Sequence, residues 1–380
     1  MKILRIAIIG CGKIADQHVQ AIRRIPHCEI VAVCDREELM AEQLAVRFKI
    51  SGVFSDANEM LQTACPDVVH ITTPPQGHFS LAKLCLDAGC HVYLEKPFTV
   101  TAPEAGELIR LAERCERKVT AGHNLQFTLE MLEMRRLVEQ GYLGDGPVHV
   151  ESHYSYSLDD TAYVGPLLGN RDHWVRRLPG QLFHNVASHG IARLAEFLND
   201  DLVEIMASAH QSSQLKRLGG QEVLDELRVM IRDSAGTTAF FSFSTQIKPG
   251  MTTLRLYGSK NSLVVDSGSG SLVRLENKSC KSYLTYFLPP LRLARRHLHN
   301  ARTNVINFLR GRLHQDAGMK ELIERFYKSI RNHAVPPIPY REILLTARIM
   351  DEVFAQIYPP LPAPKIQFQG APFRTMAPAL

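Results

Sequence analysis

The sequence predicts an α/β protein with two unlike domains: a doubly wound parallel sheet at the N-terminus, then an α+β domain with a largely antiparallel, open sheet. Two observations predict this order. Short β-branched runs alternate with helical patterns through the first third of the chain, and longer segments with period-two alternation follow. Because 380 residues exceed one ordinary core, we expect a first domain at 1–124, a second at 125–358 and a proline-rich arm at 359–380.

The strands and helices of the first domain have explicit signals. Asp56 with Glu59, and Thr101 with Glu104, have capping-box spacing, and Gly89 stands where a helix C-cap glycine belongs. Strict alternation of strand and helix implies parallel pairing, with a ligand crevice at the carboxyl ends of the strands. Buried strands are expected at 4–9, 30–34, 68–71, 91–94 and 119–123.

The second domain begins with a predicted helix at 129–140, closed by Gly141. The segments after it have one apolar face each, which indicates a largely antiparallel sheet covered by helices on one side. Its strands are expected at 149–156, 202–209, 224–231, 237–244, 252–257, 262–265 and 272–275.

Composition excludes several classes of protein. The chain is 45% hydrophobic and 22% charged, as globular proteins are, and has no apolar run of the ~18 residues that a membrane span needs. The N-terminus runs directly into a glycine turn without a signal-peptide pattern, so we expect a cytoplasmic protein. The eight cysteines form no CxxC pair, which predicts reduced thiols and no metal site. A net charge of +5 is too small to indicate nucleic acid binding.

A glycine-rich turn follows the first predicted strand. Gly10, Gly12 and Ala15 form a GxGxxA pattern where the first helix begins. Gly10 permits the tight turn, Gly12 lets backbone amides approach a pyrophosphate, and Ala15 lets helix and strand pack closely. Lys13 and Ile14 open the same helix, so both are expected beside the cofactor. The pattern predicts an NAD(P)-binding Rossmann domain.

The choice of cofactor depends on two neighbouring residues. Asp35 lies twenty residues after Ala15, at the end of the second strand, where a carboxylate accepts hydrogen bonds from a ribose diol. It favours NAD, because a carboxylate repels the 2′-phosphate of NADP. Arg36 could bind that phosphate if Asp35 turned away, so NADP remains the alternative.

Six motifs follow one another over most of the first 200 residues: GCGKIA at 10–15, Asp35, TTPPQGH at 72–78, EKP at 95–97, AGHN at 121–124 and GYLGDGPVHVES at 141–152. In this order and approximate spacing they resemble the glucose-fructose oxidoreductase, inositol dehydrogenase and MocA (Gfo/Idh/MocA) family. The EKP motif after a Rossmann fingerprint is the most specific of them.

The resemblance implies the catalytic residues. In that family the EKP lysine touches the reacting hydroxyl and the nicotinamide ribose, a role that falls here to Lys96. A later motif, GGxxxDxxxH, resembles residues 180–189, where Asn185 replaces the usual aspartate and His189 is retained. On a continuous helix these two residues would share a face. Since an amide takes no proton at neutral pH, His189 is the expected base and Asn185 the orienting group, with His184 as the alternative base.

The resemblance also implies the remaining contacts and the activity. It places Thr73, Pro74 and His78 in a loop beneath the nicotinamide and its phosphates, and Glu95 and Asn124 at the cofactor. The implied protein is a homodimeric or homotetrameric NAD-dependent enzyme that moves a hydride between nicotinamide and a secondary alcohol or ketone of a sugar, polyol or nucleotide sugar. The alternative is an NAD(P)-binding sensor or scaffold without turnover, suggested by the asparagine in place of the acid.

A basic segment at about 277–315 matches no part of the family pattern. It contains eight lysines and arginines and no aspartate or glutamate. Its pattern predicts a basic amphipathic helix. A helix of this kind could dock on its own sheet or on a neighbouring subunit, lie on an anionic membrane surface as a peripheral contact, or bind a substrate diphosphate. DNA binding is disfavoured because no helix-turn-helix partner is present. Apolar residues in steps of three and four predict that it is amphipathic, at Leu291, Ala294, Leu298, Ala301, Val305 and Phe308.

Overall fold

The computed structural model describes residues 3–158, 165, 167–170, 172–219, 223–277, 281–313 and 317–358. The arm expected at 359–380 lies outside them. The first six strands are β1 Leu4–Ile9, β2 Cys28–Cys34, β3 Gly52–Phe54, β4 Val68–Ile71, β5 His91–Leu94 and β6 Val119–Ala121. They form one sheet in the order β3-β2-β1-β4-β5-β6, with every pair parallel. The doubly wound sheet is confirmed, and β3 is an addition, since three half-buried residues carry no readable periodicity.

Helices connect these strands where the capping signals predict. The Asp56 carboxylate accepts a hydrogen bond from the Glu59 amide (2.9 Å), and the Thr101 hydroxyl accepts one from the Glu104 amide (3.4 Å). Gly89 has φ +81° just past its helix, the conformation for which glycine is preferred. The helices are α1 Lys13–Ile22, α2 Glu38–Phe48, α3 Ala57–Ala64, α4 His78–Asp87 and α5 Ala102–Arg114.

The second sheet has seven strands and is mostly antiparallel, as expected. They are β7 Pro147–Ser155, β8 Val203–His210, β9 Glu226–Asp233, β10 Thr238–Ser244, β11 Thr252–Gly258, β12 Asn261–Asp266 and β13 Ser271–Glu276. Their order is β13-β12-β11-β7-β10-β9-β8, and only the central pair of β7 with β10 runs parallel.

The C-terminal part of the chain contributes helices to both domains. They are α6 Leu129–Glu139, α7 Gln181–Val186, α8 Ser188–Ala195, α9 Ser213–Arg217, α10 Leu288–Leu309, α11 Ala317–Arg331 and α12 Tyr340–Ile357. Although it comes late in the chain, α11 packs on the first domain, where Phe326 and Tyr327 join the apolar core. Helix α12 contributes Ile343 to that core and Phe354 to the core of the second sheet. Helix α11 is thus part of the first domain, and α12 joins the first domain to the second sheet.

The basic segment forms the predicted helix, α10, but in an unexpected orientation. Its polar side faces the sheet: Arg296 pairs with Glu276 (2.9 Å), and the Asn300 amide donates to the Leu272 carbonyl (3.0 Å). Leu291 and Leu298, on the apolar stripe, are exposed. The helix thus docks on its own sheet, which is one of the alternatives that the sequence left open, but it does so through its polar side. Among the described residues, no helix is long and apolar enough to cross a bilayer.

Candidate active site

The glycine turn forms a cradle at the carboxyl end of β1. Gly10 has φ +97°, and a Cβ atom there would lie 2.7 Å from the Thr73 nitrogen, so only glycine is accommodated. A Cβ atom at Gly12 would meet no atom within 4 Å. Gly12 is the residue before α1, whose free amides and dipole attract an anion. The open space at the head of this helix fits a pyrophosphate.

Asp35 lies beside this cradle and holds it in place. Its Oδ2 accepts a hydrogen bond from the Cys11 amide (2.7 Å), and its Oδ1 accepts one from the Glu37 amide (3.0 Å). A carboxylate has about four acceptor positions, so it retains capacity for a ribose diol. The Arg36 side chain is 91% exposed and lies 4.0 Å from the Glu37 carboxylate. The alternative in which Arg36 binds the 2′-phosphate of NADP stays a prediction.

The loop after β4 forms the next part of the crevice. The Thr73 hydroxyl is buried without a hydrogen-bond partner among the described residues. A bound ligand would supply the missing hydrogen bond. His78 is buried, its Nε2 lies 2.9 Å from the Thr73 carbonyl and its Nδ1 lies 3.0 Å from the Pro97 carbonyl. The His78 ring thus joins the loop that carries Thr73 and Pro74 to the loop after Lys96. The contact of His78 with the cofactor stays a prediction.

Behind the EKP motif lies a buried chain of polar groups. Glu95 Oε1 lies 2.9 Å from His18 Nε2, the two Nδ1 atoms of His18 and His70 lie 2.8 Å apart, and His70 Nε2 lies 2.7 Å from the Tyr327 hydroxyl. Tyr93 stacks on His70 with ring centroids 4.6 Å apart. One set of tautomers pairs every contact when His18 donates to Glu95 and accepts from His70.

This chain gives Glu95 a structural role, and the contact of Glu95 with the cofactor stays a prediction. Burial raises the pKa of Glu95, but the bond to His18 and the nearby Lys96 ammonium outweigh it, so the net pKa is lowered and the carboxylate stays ionised. Its Oε2 accepts from the Lys96 amide (3.1 Å) and so orients the next residue. Gly122 is required beside it, because a Cβ there would lie 2.7 Å from the Glu95 Oε1 atom.

Lys96 reaches across the crevice to the second domain. Its ammonium donates to the main-chain carbonyl of Asn185 (2.9 Å). Helix α7 ends at Val186 and α8 begins at Ser188, so that carbonyl lies in a last helical turn, where oxygens lack their usual partner. The continuous helix expected through Asn185 and His189 is thus wrong. Burial lowers the pKa of Lys96, and the Glu95 carboxylate opposes this shift.

His189 lies beside this ammonium. Burial, then the Lys96 and His123 side chains, lower its pKa well below the usual value, so the imidazole is neutral at pH 7. Its Nδ1 is buried without a partner in the described part of the chain. The rings of His123 and Tyr154 have centroids 6.2 Å from that of His189. The structure thus brings Lys96, Asn185 and His189 together.

His184 faces a different part of the protein. It hydrogen-bonds the Thr99 main chain, and its ring lies over Phe354 with centroids 4.9 Å apart. Burial lowers its pKa to about 4. These contacts place His184 in the packing between α7 and α12. Its Nδ1, like that of His189, is buried without a partner among the described residues, so the choice between the two bases stays a prediction.

Several site residues carry no strong sequence signal. Asn124, which was predicted, begins a short turn after β6, and its Oδ1 atom is buried without a partner among the residues described. His123, which lies in the AGHN motif but was given no role, surrounds His189 together with Tyr154 and the fully buried Arg193, which belong to none of the six motifs. His70 offered one signal, because a histidine interrupts an otherwise apolar strand.

The donor set fits NAD. The cradle at Gly12 is open, and Asp35 retains acceptor capacity. Thr73 and Asn124, which have unpaired buried oxygens, follow β4 and β6 at the carboxyl edge of the sheet, where a Rossmann cofactor binds. Lys13 is exposed and Ile14 half-buried at the start of α1. Within the described ranges no group of His, Cys, Asp and Glu side chains could hold a metal ion, and the described cysteines are free.

Comparison with known families agrees with this site. The model of an oxidoreductase family with an NAD-binding Rossmann fold matches residues 4–123, and the GFO/IDH/MocA C-terminal domain matches residues 131–264. Together they span more than half of the chain. The chain belongs to the Gfo/Idh/MocA family.

The chain is similar to individual curated proteins and solved structures to different extents. D-glucoside 3-dehydrogenase of Escherichia coli (strain K12) is 34% identical over 143 residues, which are 37% of this chain and 41% of that protein. The chain thus aligns with less than half the length of this curated relative. Two solved structures share the fold. An NAD binding oxidoreductase from Klebsiella pneumoniae is 19% identical with a TM-score of 0.75, and the alignment covers 93% of this chain and 96% of that one. The WlbA dehydrogenase from Bordetella pertussis, in complex with NADH and UDP-GlcNAcA, is 17% identical with a TM-score of 0.74, and the alignment covers 93% of this chain and 95% of that one.

Proposed function

We propose that this Gfo/Idh/MocA protein uses NAD to transfer a hydride to or from a secondary alcohol or ketone of a sugar, polyol or nucleotide sugar. The observation that carries the proposal is the hydrogen bond from Lys96 to the Asn185 carbonyl, beside a neutral His189, at the carboxyl end of β5. It joins the glycine-turn domain to the helix pair of the second domain across one crevice. NAD, when bound, supplies the hydride acceptor.

Three side chains, of His189, Lys96 and Asn185, carry out proton transfer, charge stabilisation and substrate orientation. Removing a hydride from a carbinol carbon requires that the hydroxyl proton leave to a base, and the neutral His189 imidazole takes it. The Lys96 ammonium stabilises the negative charge that develops on the substrate oxygen. Asn185, buried beside them, orients the substrate hydroxyls. Desolvation strengthens each of these interactions.

The substrate class rests on similarity as well as on the site. D-glucoside 3-dehydrogenase and a dehydrogenase complexed with UDP-GlcNAcA are among the similar proteins. A crevice rich in hydroxyl, amide and imidazole groups, without a metal group in the described residues, suits a polyhydroxylated substrate better than an apolar alcohol.

Variants of the two histidines and the lysine test the assignment. Lys96→Met and His189→Ala are expected to lower the single-turnover rate of NAD reduction by about 10²–10⁴. His189→Ala is expected to change the affinity for NADH by less than about threefold. His184→Ala, the matched control, loses packing and lowers stability but keeps the rate within about tenfold. A panel of sugars, polyols and nucleotide sugars supplies the substrate, with products checked by mass spectrometry because a recycled cofactor hides absorbance changes.

Two results would contradict the proposal. If His184→Ala loses turnover while His189→Ala keeps it, the base is misassigned. If the wild-type protein binds NADH but converts no member of the panel, the non-catalytic sensor or scaffold becomes the better interpretation.

We also propose that the protein forms a homodimer or homotetramer through the outer face of the second sheet. Met206 and Met230 are cross-strand neighbours on β8 and β9 and are 69% and 59% exposed, an apolar pair in a position typical of a subunit interface. Light scattering after gel filtration is expected to show an oligomer, and Met230→Glu is expected to dissociate it. A monomeric wild type would refute this.

A further inference from the structure

Helix α10 exposes its apolar side and turns its polar side toward the sheet. A helix on a sheet normally buries its apolar stripe and exposes its polar side. Here the stripe of Leu291, Leu298 and Val305, spaced seven residues apart on one face, is 65%, 73% and 59% exposed. No residue of α10 is buried. The helix therefore presents to the outside a hydrophobic ridge that is about 21 Å long from Leu291 to Val305.

Polar contacts hold α10 in this orientation. The Arg296 guanidinium pairs with Glu276, the Asn300 amide donates to the Leu272 carbonyl, and the Asn304 amide donates to the Ser269 carbonyl (2.9 Å). An open groove of about 930 Å³ runs between the helix and β13 and is lined partly by these side chains. The apolar ridge consequently faces away from the body of the protein because its opposite side is anchored.

The surroundings of the ridge are basic and aromatic. Arg292, Arg295 and Arg302 are exposed on the same helix, and no acidic residue occurs between 277 and 315. Tyr286 and Phe287, just before the helix, are 82% and 63% exposed. Apolar, aromatic and arginine side chains side by side are the composition of helices that lie in the interfacial layer of a bilayer.

We propose that α10 binds the surface of a membrane that contains acidic phospholipids, with the Leu291–Leu298–Val305 ridge inserted at the headgroup boundary and the flanking arginines on the phosphates. Charge favours this occupant over a second copy of the chain. A twofold contact through the ridge would bring the exposed arginines of two α10 helices together, whereas acidic lipids neutralise them. The proposal does not depend on the oxidoreductase activity.

Vesicle co-sedimentation of the full-length protein tests the proposal. At about 0.1 M salt the protein is expected to pellet with vesicles of phosphatidylcholine and phosphatidylglycerol and to stay in the supernatant with phosphatidylcholine alone. Binding is expected to weaken at 0.5 M salt. Arg295→Gln with Arg302→Gln should weaken partitioning about tenfold or more, since each basic residue near an acidic surface contributes about fivefold.

A matched pair of substitutions separates the ridge from general charge effects. Leu298→Glu is expected to weaken vesicle binding at least tenfold. Val335→Glu, at a loop residue that is 84% exposed, adds the same charge elsewhere and is expected to leave binding unchanged. Thermal melting and NADH binding confirm that each variant is folded.

Three outcomes overturn the proposal: wild-type protein that remains in the supernatant with acidic vesicles, equal losses in both glutamate variants, or a lipid-free dimer that Leu298→Glu dissociates. The last would make the ridge a contact between copies of the chain.

Discussion

Adding one methyl group at Gly10 or at Gly12 is expected to have opposite consequences, because the two glycines serve different purposes. At Gly10, φ is +97°, which costs an L-residue about 1–2 kcal/mol. The new Cβ would also lie 2.7 Å from the Thr73 nitrogen and 2.8 Å from the Thr72 carbonyl carbon, main-chain atoms that cannot rotate away. Such overpacking costs a further 1–3 kcal/mol, roughly. Gly10→Ala is therefore expected to lower the free energy of unfolding by roughly 2–5 kcal/mol.

At Gly12 the same methyl group meets no protein atom within 4 Å, and φ is −75°. The free energy of unfolding of Gly12→Ala should stay within about 1 kcal/mol of the wild-type value. The space that the methyl group enters is the one assigned to the pyrophosphate. We expect the dissociation constant for NADH to rise at least tenfold, about 1.4 kcal/mol.

Urea denaturation without cofactor measures the first quantity and fluorescence titration with NADH the second. Gly236→Ala is the matched control for backbone strain, because Gly236 has φ +93° and open space around it. It should show the cost of the left-handed conformation, about 1–2 kcal/mol, without the clash. A Gly12→Ala variant that binds NADH as tightly as the wild type would refute the position of the pyrophosphate.

Three further predictions concern single side chains. Asp35→Ser removes the carboxylate that repels a 2′-phosphate, so the NADH-to-NADPH affinity ratio, measured by titration, should fall at least tenfold; an unchanged ratio would show that Asp35 does not select the cofactor. Tyr327→Phe leaves His70 Nε2 without its buried partner and should lower the free energy of unfolding by about 1–3 kcal/mol, whereas Tyr283→Phe, at an exposed site, should change it by less than about 0.5 kcal/mol. Burial and Glu196 raise the pKa of Glu342 from 4.5 to about 7. The Glu342 carboxyl group therefore binds its proton more tightly in the folded state than in the unfolded state. Wild-type stability should therefore fall by roughly 1–3 kcal/mol relative to Glu342→Gln as the pH rises from about 4.5 to above 7, and parallel pH profiles of the two proteins would contradict this.

The sequence by itself determined most elements of the first domain, with the short strand β3 as the exception. The bounds of β1, β4 and β5 agree with the pattern of apolar residues, and the Asp56 and Thr101 caps form as their spacing predicts. These signals are local, since a cap or a short apolar run is complete within a few residues of chain. The glycine turn is equally local, which is why its place at the end of β1 could be predicted.

Only the tertiary structure decided how distant residues combine. The contact of His70 with Tyr327 joins residues 257 positions apart, and the Lys96 ammonium meets the Asn185 carbonyl 89 positions away, where a break between α7 and α8 exposes it. The orientation of α10 is the clearest case. Periodicity identifies which residues share a face of a helix, but which face turns toward the protein depends on the partners that the rest of the fold provides, and here Glu276 and two main-chain carbonyls lie against the polar side.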